Sequence, residues 1–229
     1  MSRPVRPRTR AGRLSALDAW LNVESVALLT PGATLIDFGF GESAVTTEEW
    51  AEACSGCRVI GIDARAASSS RVELVVGDFD ACARFAPVSV LRAMNVVRAY
   101  REDEVETIRA QLGACVIDGG LVIDGSTDTE GHVLSAWLLR KTKGALVKES
   151  LLFHTDFSRG FSPWLFRDWL PRDLRRSVKP GTWIHEALTK WDARASGSTP
   201  RERFEASLGD DLLATGWERE HGYCRLTAS

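Results

Sequence analysis

Five short apolar runs recur through the first half of the chain, at residues 33–38, 58–62, 72–76, 88–97 and 121–124, with helix-like or looped segments between them. Most are too short for a helix and too continuously apolar for a strand with one wet face, so they read as strands covered on both sides. Strands of that kind alternating with helices predict an α/β fold, a doubly wound and mostly parallel sheet. The interleaved segments fit this. Leu14, Leu17, Leu21 and Leu28 form an apolar helical stripe that Pro31-Gly32 stops, and Thr46 or Thr47 caps a second helix with Trp50, Ala51 and Cys54 on its inner face. Further helices are predicted at 80–85 and 102–112.

The texture changes after about residue 128. Residues 133–140 and 145–154, joined around Lys143-Gly144, predict a β-hairpin closing the sheet. Beyond it, Trp164, Trp169, Trp183, Trp191 and Trp217 fall among helix-like segments at 164–176, 184–194 and 200–215, an elaboration on the core. The predicted organisation is therefore a flexible basic arm over 1–13 and a single domain over 14–229. Within that domain the cofactor-binding core covers about 30–128 and the C-terminal elaboration 129–229.

Composition excludes several classes. A chain of 229 residues with 44% apolar content has enough apolar surface for a substantial core, and a formal charge of −2 gives no global field for nucleic acid. The arm, with Arg3, Arg6, Arg8, Arg10 and Arg13, leaves RNA as a possible partner, as does the Arg167–Lys179 stretch, whose cations are interleaved with Trp164, Phe166 and Trp169. Pro4 and Pro7 spoil the arm as a targeting helix, and no run approaches the roughly 18 apolar residues that span a bilayer. Five scattered cysteines predict reduced thiols and a cytoplasmic location. Cys54 and Cys57 have the spacing of a metal pair, but no second pair or nearby histidine completes a site, so no metal is expected.

The chemistry gathers at the end of the first run, Asp37-Phe38-Gly39-Phe40-Gly41-Glu42. Open α/β sheets bind ligands outside the carboxyl ends of their strands, and the glycines let the chain turn tightly with its N–H groups exposed to a ligand. Read with Ala44, the same residues also fit the dinucleotide pattern. Charge separates the two ligands: Asp37, Glu42, Glu48 and Glu49 would repel a pyrophosphate and favour a ligand carrying an ammonium and a sulfonium. The second run ends in Asp63, placed to accept ribose hydroxyls. The third ends Gly77-Asp78-Phe79, where Asp78 suits an exocyclic amine and Phe79 a purine face.

Asp37-x-Gly39-x-Gly41, Asp63, the Gly77-Asp78-Phe79 turn and Asp118-Gly119-Gly120 before the fifth run resemble a class I S-adenosylmethionine-dependent methyltransferase. Residues 45–50 and 92–100 further resemble a group of actinobacterial methylases. The family's third glycine is replaced by Ser43. The resemblance implies S-adenosyl-L-methionine as cofactor, held by Asp37, Gly39, Gly41, Glu42, Asp63, Asp78 and Phe79, and an acceptor at the end of the fourth strand. Asn95 and Tyr100 are candidate catalytic residues there, Arg92 and Arg98 candidate anchors for an acceptor carboxylate or phosphate, and His154 a candidate base. The acceptor is expected to be a small molecule, or alternatively an RNA. The competing functions are an NAD(P)-linked oxidoreductase and a non-catalytic binding module on the same fold.

Overall fold

In the computed structural model, which describes residues 9–227, each apolar run becomes a strand: β1 (Thr34–Phe38), β2 (Arg58–Asp63), β3 (Glu73–Val76), β4 (Val88–Met94) and β5 (Val116–Thr127). The hairpin follows as β6 (Val133–Thr142) and β7 (Ala145–Thr155), and two short strands, β8 (Leu212–Leu213) and β9 (Tyr223–Thr227), complete one sheet in the order 3-2-1-4-5-6-7-9-8. Strands β1 to β5 pair in parallel, and every pairing from β5 onward is antiparallel. Strand order reverses at β1, which lies between β2 and β4, and a doubly wound sheet opens its ligand crevice at such a switch point.

Successive residues along each central strand enter opposite cores, which is why the runs are apolar on both faces. Leu35, Val59, Val90, Leu121 and Ile123 pack with Leu17 and Leu21 of α1 (Ser15–Glu24) and Trp50 of α2 (Val45–Ala53). Ile36, Ile60, Leu91 and Val122 face the other way, toward Ile108 and Leu112 of α3 (Val105–Ala114). The first predicted helix is shorter than its apolar stripe, breaking at Ser25 into a 3-10 turn over Val26–Leu28.

The C-terminal third differs more from expectation. Segment 164–176 becomes a 3-10 helix (Pro163–Trp169) and the short α4 (Arg172–Arg175), because Pro171 lacks the N–H that a continuous helix needs. After α5 (Trp183–Arg194), the segment predicted as one helix over 200–215 ends as α6 (Pro200–Ser207); Gly209-Asp210-Asp211 turns the chain into β8. The chain then forms α7 (Gly216–Glu220) before β9. Helix α6 starts where it should, with Thr199 and Glu202 in a reciprocal capping box.

Two interactions fasten this elaboration to the sheet. Phe153 of β7 packs against Phe166 and Trp191, whose rings stack at 5.4 Å, with Phe161 and Phe204 at the edges. Arg109 of α3 reaches Asp124 of β5 at 2.7 Å and Asp173 of α4 at 2.9 Å, and Lys148 of β7 meets Asp173 at 2.9 Å. Burial works against the Asp173 carboxylate, yet Arg109 and Lys148 hold its pKa down at about 2. Because Trp191 is fully enclosed by aromatic neighbours, Trp191→Ala is expected to cost about 3–5 kcal/mol in denaturant unfolding.

Candidate functional site

Directly across the β1–β4 pairing, Asp37 and Arg92 are register partners, and both side chains point into the α1/α2 face. Arg92 Nε donates to Asp37 Oδ1 at 2.8 Å and Nη2 to Oδ2 at 3.1 Å, while Nη1 pairs with Asp18 of α1. Thr47 of α2 donates to Asp37 Oδ2 at 2.6 Å, Arg92 Nη2 also reaches the Thr46 carbonyl at 2.6 Å, and the guanidinium lies 4.3 Å from the Trp50 ring centre. Burial alone would lower the Arg92 pKa, but Asp18 and Asp37 outweigh it and keep the group charged. Burial raises the Asp18 pKa, with Arg92 opposing. Two carboxylates share one guanidinium, Asp37 through two of its nitrogens and Asp18 through one.

This corrects the reading of Arg92 as an acceptor anchor: it is 0% exposed and already committed. It also changes the role of Asp37, whose carboxylate is paired beneath the turn.

Above this cluster the chain leaves β1 through Gly39 and Gly41, with φ of 82° and 87°. A Cβ at Gly39 would sit 2.2 Å from Val96 Cγ2, so no other residue fits without displacing it. Gly41 N–H donates to Asp63 Oδ2 at 2.9 Å, and Asp63 Oδ1 accepts from Arg65 N–H at 2.9 Å. Asp63 thereby ties the turn to the end of β2. Its carboxylate, 11% exposed, still has lone pairs for a hydroxyl.

A cleft of about 370 Å³ opens at the switch point, lined by Gly39, Gly41, Glu42, Asn95, Arg98 and Trp169 among others. That is within the range of small-molecule sites. A recess continues from it over Asp37, Gly39, Phe40, Thr46 and Asn95. Asn95, the residue after β4, takes a left-handed φ of 61°, a conformation that asparagine tolerates better than most residues. Its Oδ1 accepts from Thr127 N–H at 3.3 Å and Arg98 Nη1 at 3.2 Å, so its amide offers the cleft donors rather than an acceptor. Thr127, also in the lining, is wholly buried, and its hydroxyl has no partner among the described residues.

The segment expected to be a flexible arm contributes directly. Residues 1–8 lie outside the described residues, but Thr9 Oγ1 donates to the Phe40 carbonyl at 3.0 Å and Gly12 N–H to Glu49 Oε1 at 2.8 Å. Arg13 crosses to the end of β5, donating to the carbonyls of Asp128 at 3.0 Å and Thr127 at 3.3 Å. Burial lowers the Arg13 pKa, and Asp128 and Glu130 oppose that shift. Thr9 and Arg13 both line the cleft.

The structure thus brings Gly39, Gly41, Glu42, Asn95 and Arg98 to one cleft and Asp37 to its recess. Asp78 is exposed and caps the 3-10 helix over Phe79–Phe85 through its own hydrogen bond to Phe79 N–H. Phe79 is a core residue, stacked on Phe38 at 5.0 Å and packed by Tyr100 at 5.6 Å, which corrects the placement of both rings beside a ligand. His154 is corrected too. It lies on β7, buried on the face of α1 and stacked on Tyr223 at 4.2 Å, away from the cleft lining. In the Arg167–Lys179 stretch the aromatics turn inward: Phe166 into the core, Trp164 against His185 and Trp169 beneath Arg98. Arg13 and Trp169, read in the sequence as parts of possible RNA-binding surfaces, line the cleft instead, together with Arg65 and Thr127, which the sequence reading did not single out. Arg65, two residues after Asp63, carried a positional signal; the others come from distant segments.

No family model and no curated protein matches the chain. Among solved structures, it is similar to magnesium protoporphyrin IX methyltransferase from Synechocystis PCC 6803 with bound SAM, at 15% identity over 58% of this chain and 74% of that one, TM-score 0.40. It is also similar to an O-methyltransferase family 2 protein from Planctomyces limnophilus in complex with apigenin, at 19% identity over 52% and 44%, TM-score 0.35. A third is coclaurine N-methyltransferase bound to N-methylheliamine and SAH, at 16% identity over 49% and 36%, TM-score 0.38. The chain spans less than half the length of the second and third.

Arg92→Leu leaves Asp18 and Asp37 buried without a counter-charge and is expected to cost about 3–5 kcal/mol in denaturant unfolding. Burial lowers the His154 pKa from 6.5 to about 4, so the unfolded chain binds the extra proton between those values. Stability present above pH 6.5 is therefore lost as pH falls toward 4, by up to roughly 3 kcal/mol, and His154→Phe should flatten that part of the stability profile.

Proposed function

We propose that the protein is an S-adenosylmethionine-dependent methyltransferase acting on a small molecule. The observation carrying this reading is the strand that follows β5. A dinucleotide-binding sheet continues its 3-2-1-4-5 order with a parallel sixth strand, whereas β6 here runs antiparallel to β5, joined to it by a turn over 128–132 rather than by a helix. An antiparallel extension at this edge is in keeping with the methyltransferase family that the sequence resembles. The likeness of 92–100 to actinobacterial methylases is part of the same reading; that segment supplies Asn95 and Arg98 to the cleft.

The residues present fit the donor. The Gly39–Gly41 turn suits its amino-acid end, and Asp63, anchored beside Gly41, suits the ribose hydroxyls. The unpaired Thr127 hydroxyl and the Asn95 amide donors leave hydrogen-bonding capacity for a ligand in the cleft wall. When bound, the donor supplies a methyl carbon already activated by positive sulfur, so the protein's task is alignment and exclusion of water. Asn95 donates to an acceptor heteroatom at the end of β4, its amide orientation set by Thr127 N–H and Arg98. Met94, Ala99 and Trp169 provide the apolar lining.

One observation favours a second reading. Arg65 follows the β2 acid, a position from which an arginine takes the 2′-phosphate of NADP. Against it, Glu42 and Glu48 border the N-terminal end of α2, where a pyrophosphate would need uncompensated N–H groups.

Isothermal titration calorimetry separates the two. S-adenosylhomocysteine is expected to bind, at least tenfold more weakly to Asp63→Ala; NADPH binding without it would sink the methyltransferase reading.

A further inference from the structure

We propose that residues 9–12 form a strap that is closed on the glycine turn in the free protein, excludes the amino-acid end of S-adenosylmethionine, and must lift about Gly12 before the donor is bound. The proposal rests on the methyl-transfer reading of the same cleft and adds to it a device that regulates entry of the donor.

The position of the strap carries the argument. Residues 9–13 belong to no helix or strand, and they run between two walls of the cleft. Their base is fixed: Leu14 is buried just before α1, and Arg13 is held by the Thr127 and Asp128 carbonyls. From that base the chain reaches back to the turn after β1, where Thr9 Oγ1 donates to the Phe40 carbonyl at 3.0 Å. Thr9 Oγ1 would lie 2.9 Å from a Cβ on Gly41, so the bare glycine is what lets the strap come down. Donor and strap therefore claim the same turn. Between the strap and the floor at Asp37 and Gly39 there remains a recess of about 20 Å³, lined by Thr9, Arg13, Phe40 and Thr46 among others. That is room for a water molecule and not for an amino-acid group.

The strap is also built to open. Its sequence, Thr9-Arg10-Ala11-Gly12, has no large apolar side chain to bury, and such segments have low local stability. Besides the Thr9 bond, it is held by the Arg10–Glu130 ion pair and by Gly12 N–H on Glu49 Oε1 at 2.8 Å. Both of these lie at the surface, where water replaces them at little cost. Gly12 has a φ of 75°, and a Cβ placed on it would meet nothing within 4 Å. The closed form therefore needs a backbone conformation that glycine supplies and no neighbour enforces. When a ligand binds the open form alone, its apparent affinity is its intrinsic affinity reduced to the open fraction. Weakening the strap must then tighten donor binding, the opposite of what losing a ligand contact does.

The test is calorimetric titration of the full chain, and of two variants that weaken the strap by different means, with S-adenosylhomocysteine, which has the same amino-acid end as the donor. Gly12→Ala introduces no clash but disfavours the closed backbone, and is expected to tighten binding roughly tenfold. Thr9→Val keeps the shape of the side chain and removes the latch on Phe40, and is expected to tighten it roughly threefold. Circular dichroism checks that each variant is folded. Hydrogen exchange gives a second reading on the unaltered chain: saturation with S-adenosylhomocysteine should speed exchange of the backbone amides of residues 9–12. Unchanged or weaker binding by both variants, or strap amides whose exchange is unchanged or slowed by the ligand, overturns the proposal. Failure of the methyltransferase reading has a different signature: S-adenosylhomocysteine binds to none of the three proteins.

Discussion

The site is built on one buried ion cluster. Arg92, in the middle of an otherwise apolar strand, cannot stay charged inside the protein without partners, and Asp37 on the neighbouring strand and Asp18 on α1 supply them. The consequence is geometric as much as energetic. The cluster joins β1, β4, α1 and α2 at one point, directly beneath the turn where β1 hands over to the glycines.

That cluster also changes an electrostatic expectation. Asp37 contributes its charge inward, to Arg92, and Asp63 spends part of its hydrogen-bonding capacity on Gly41 and Arg65 N–H groups. Of the acids around the turn, Glu42 is the one in the cleft lining, and Arg13, Arg65 and Arg98 border the same space. The acids that stand close along the chain are thus committed in part to protein partners around the cleft. The distinction between a sulfonium donor and a dinucleotide therefore rests on the antiparallel extension beyond β5 and on the carboxylates at the start of α2, rather than on the acids ending the strands.

How much of this was legible depends on distance in sequence. The parallel half of the sheet follows from local patterns, because a strand covered on both faces must be continuously apolar and the turn after it must be glycine-rich. The placement of Asp37, Gly39 and Gly41 follows with it. The Arg92 cluster was readable in principle: an arginine between Leu91 and Ala93 in a buried run demands a partner, and Asp18 sits on the apolar stripe beside Leu17 and Leu21. Phe79 and Tyr100 were misplaced because an aromatic beside a strand end serves the core as readily as a ligand. Strand β9 and the inward turn of the Trp164–Trp169 aromatics depend on contacts with β7 and α5, and no local pattern specifies those. Arg13 and Trp169 reach the cleft from segments far apart in the chain, so their convergence is a property of the fold alone.

A crystal structure of the full chain grown with S-adenosylhomocysteine tests the central claim most directly. The account predicts the ligand in the switch-point cleft, its amino-acid end over Gly39 and Gly41 and its ribose at Asp63, with the acceptor side beside Asn95 and Trp169 left open. Ligand bound elsewhere, or an empty cleft at millimolar ligand, would contradict it.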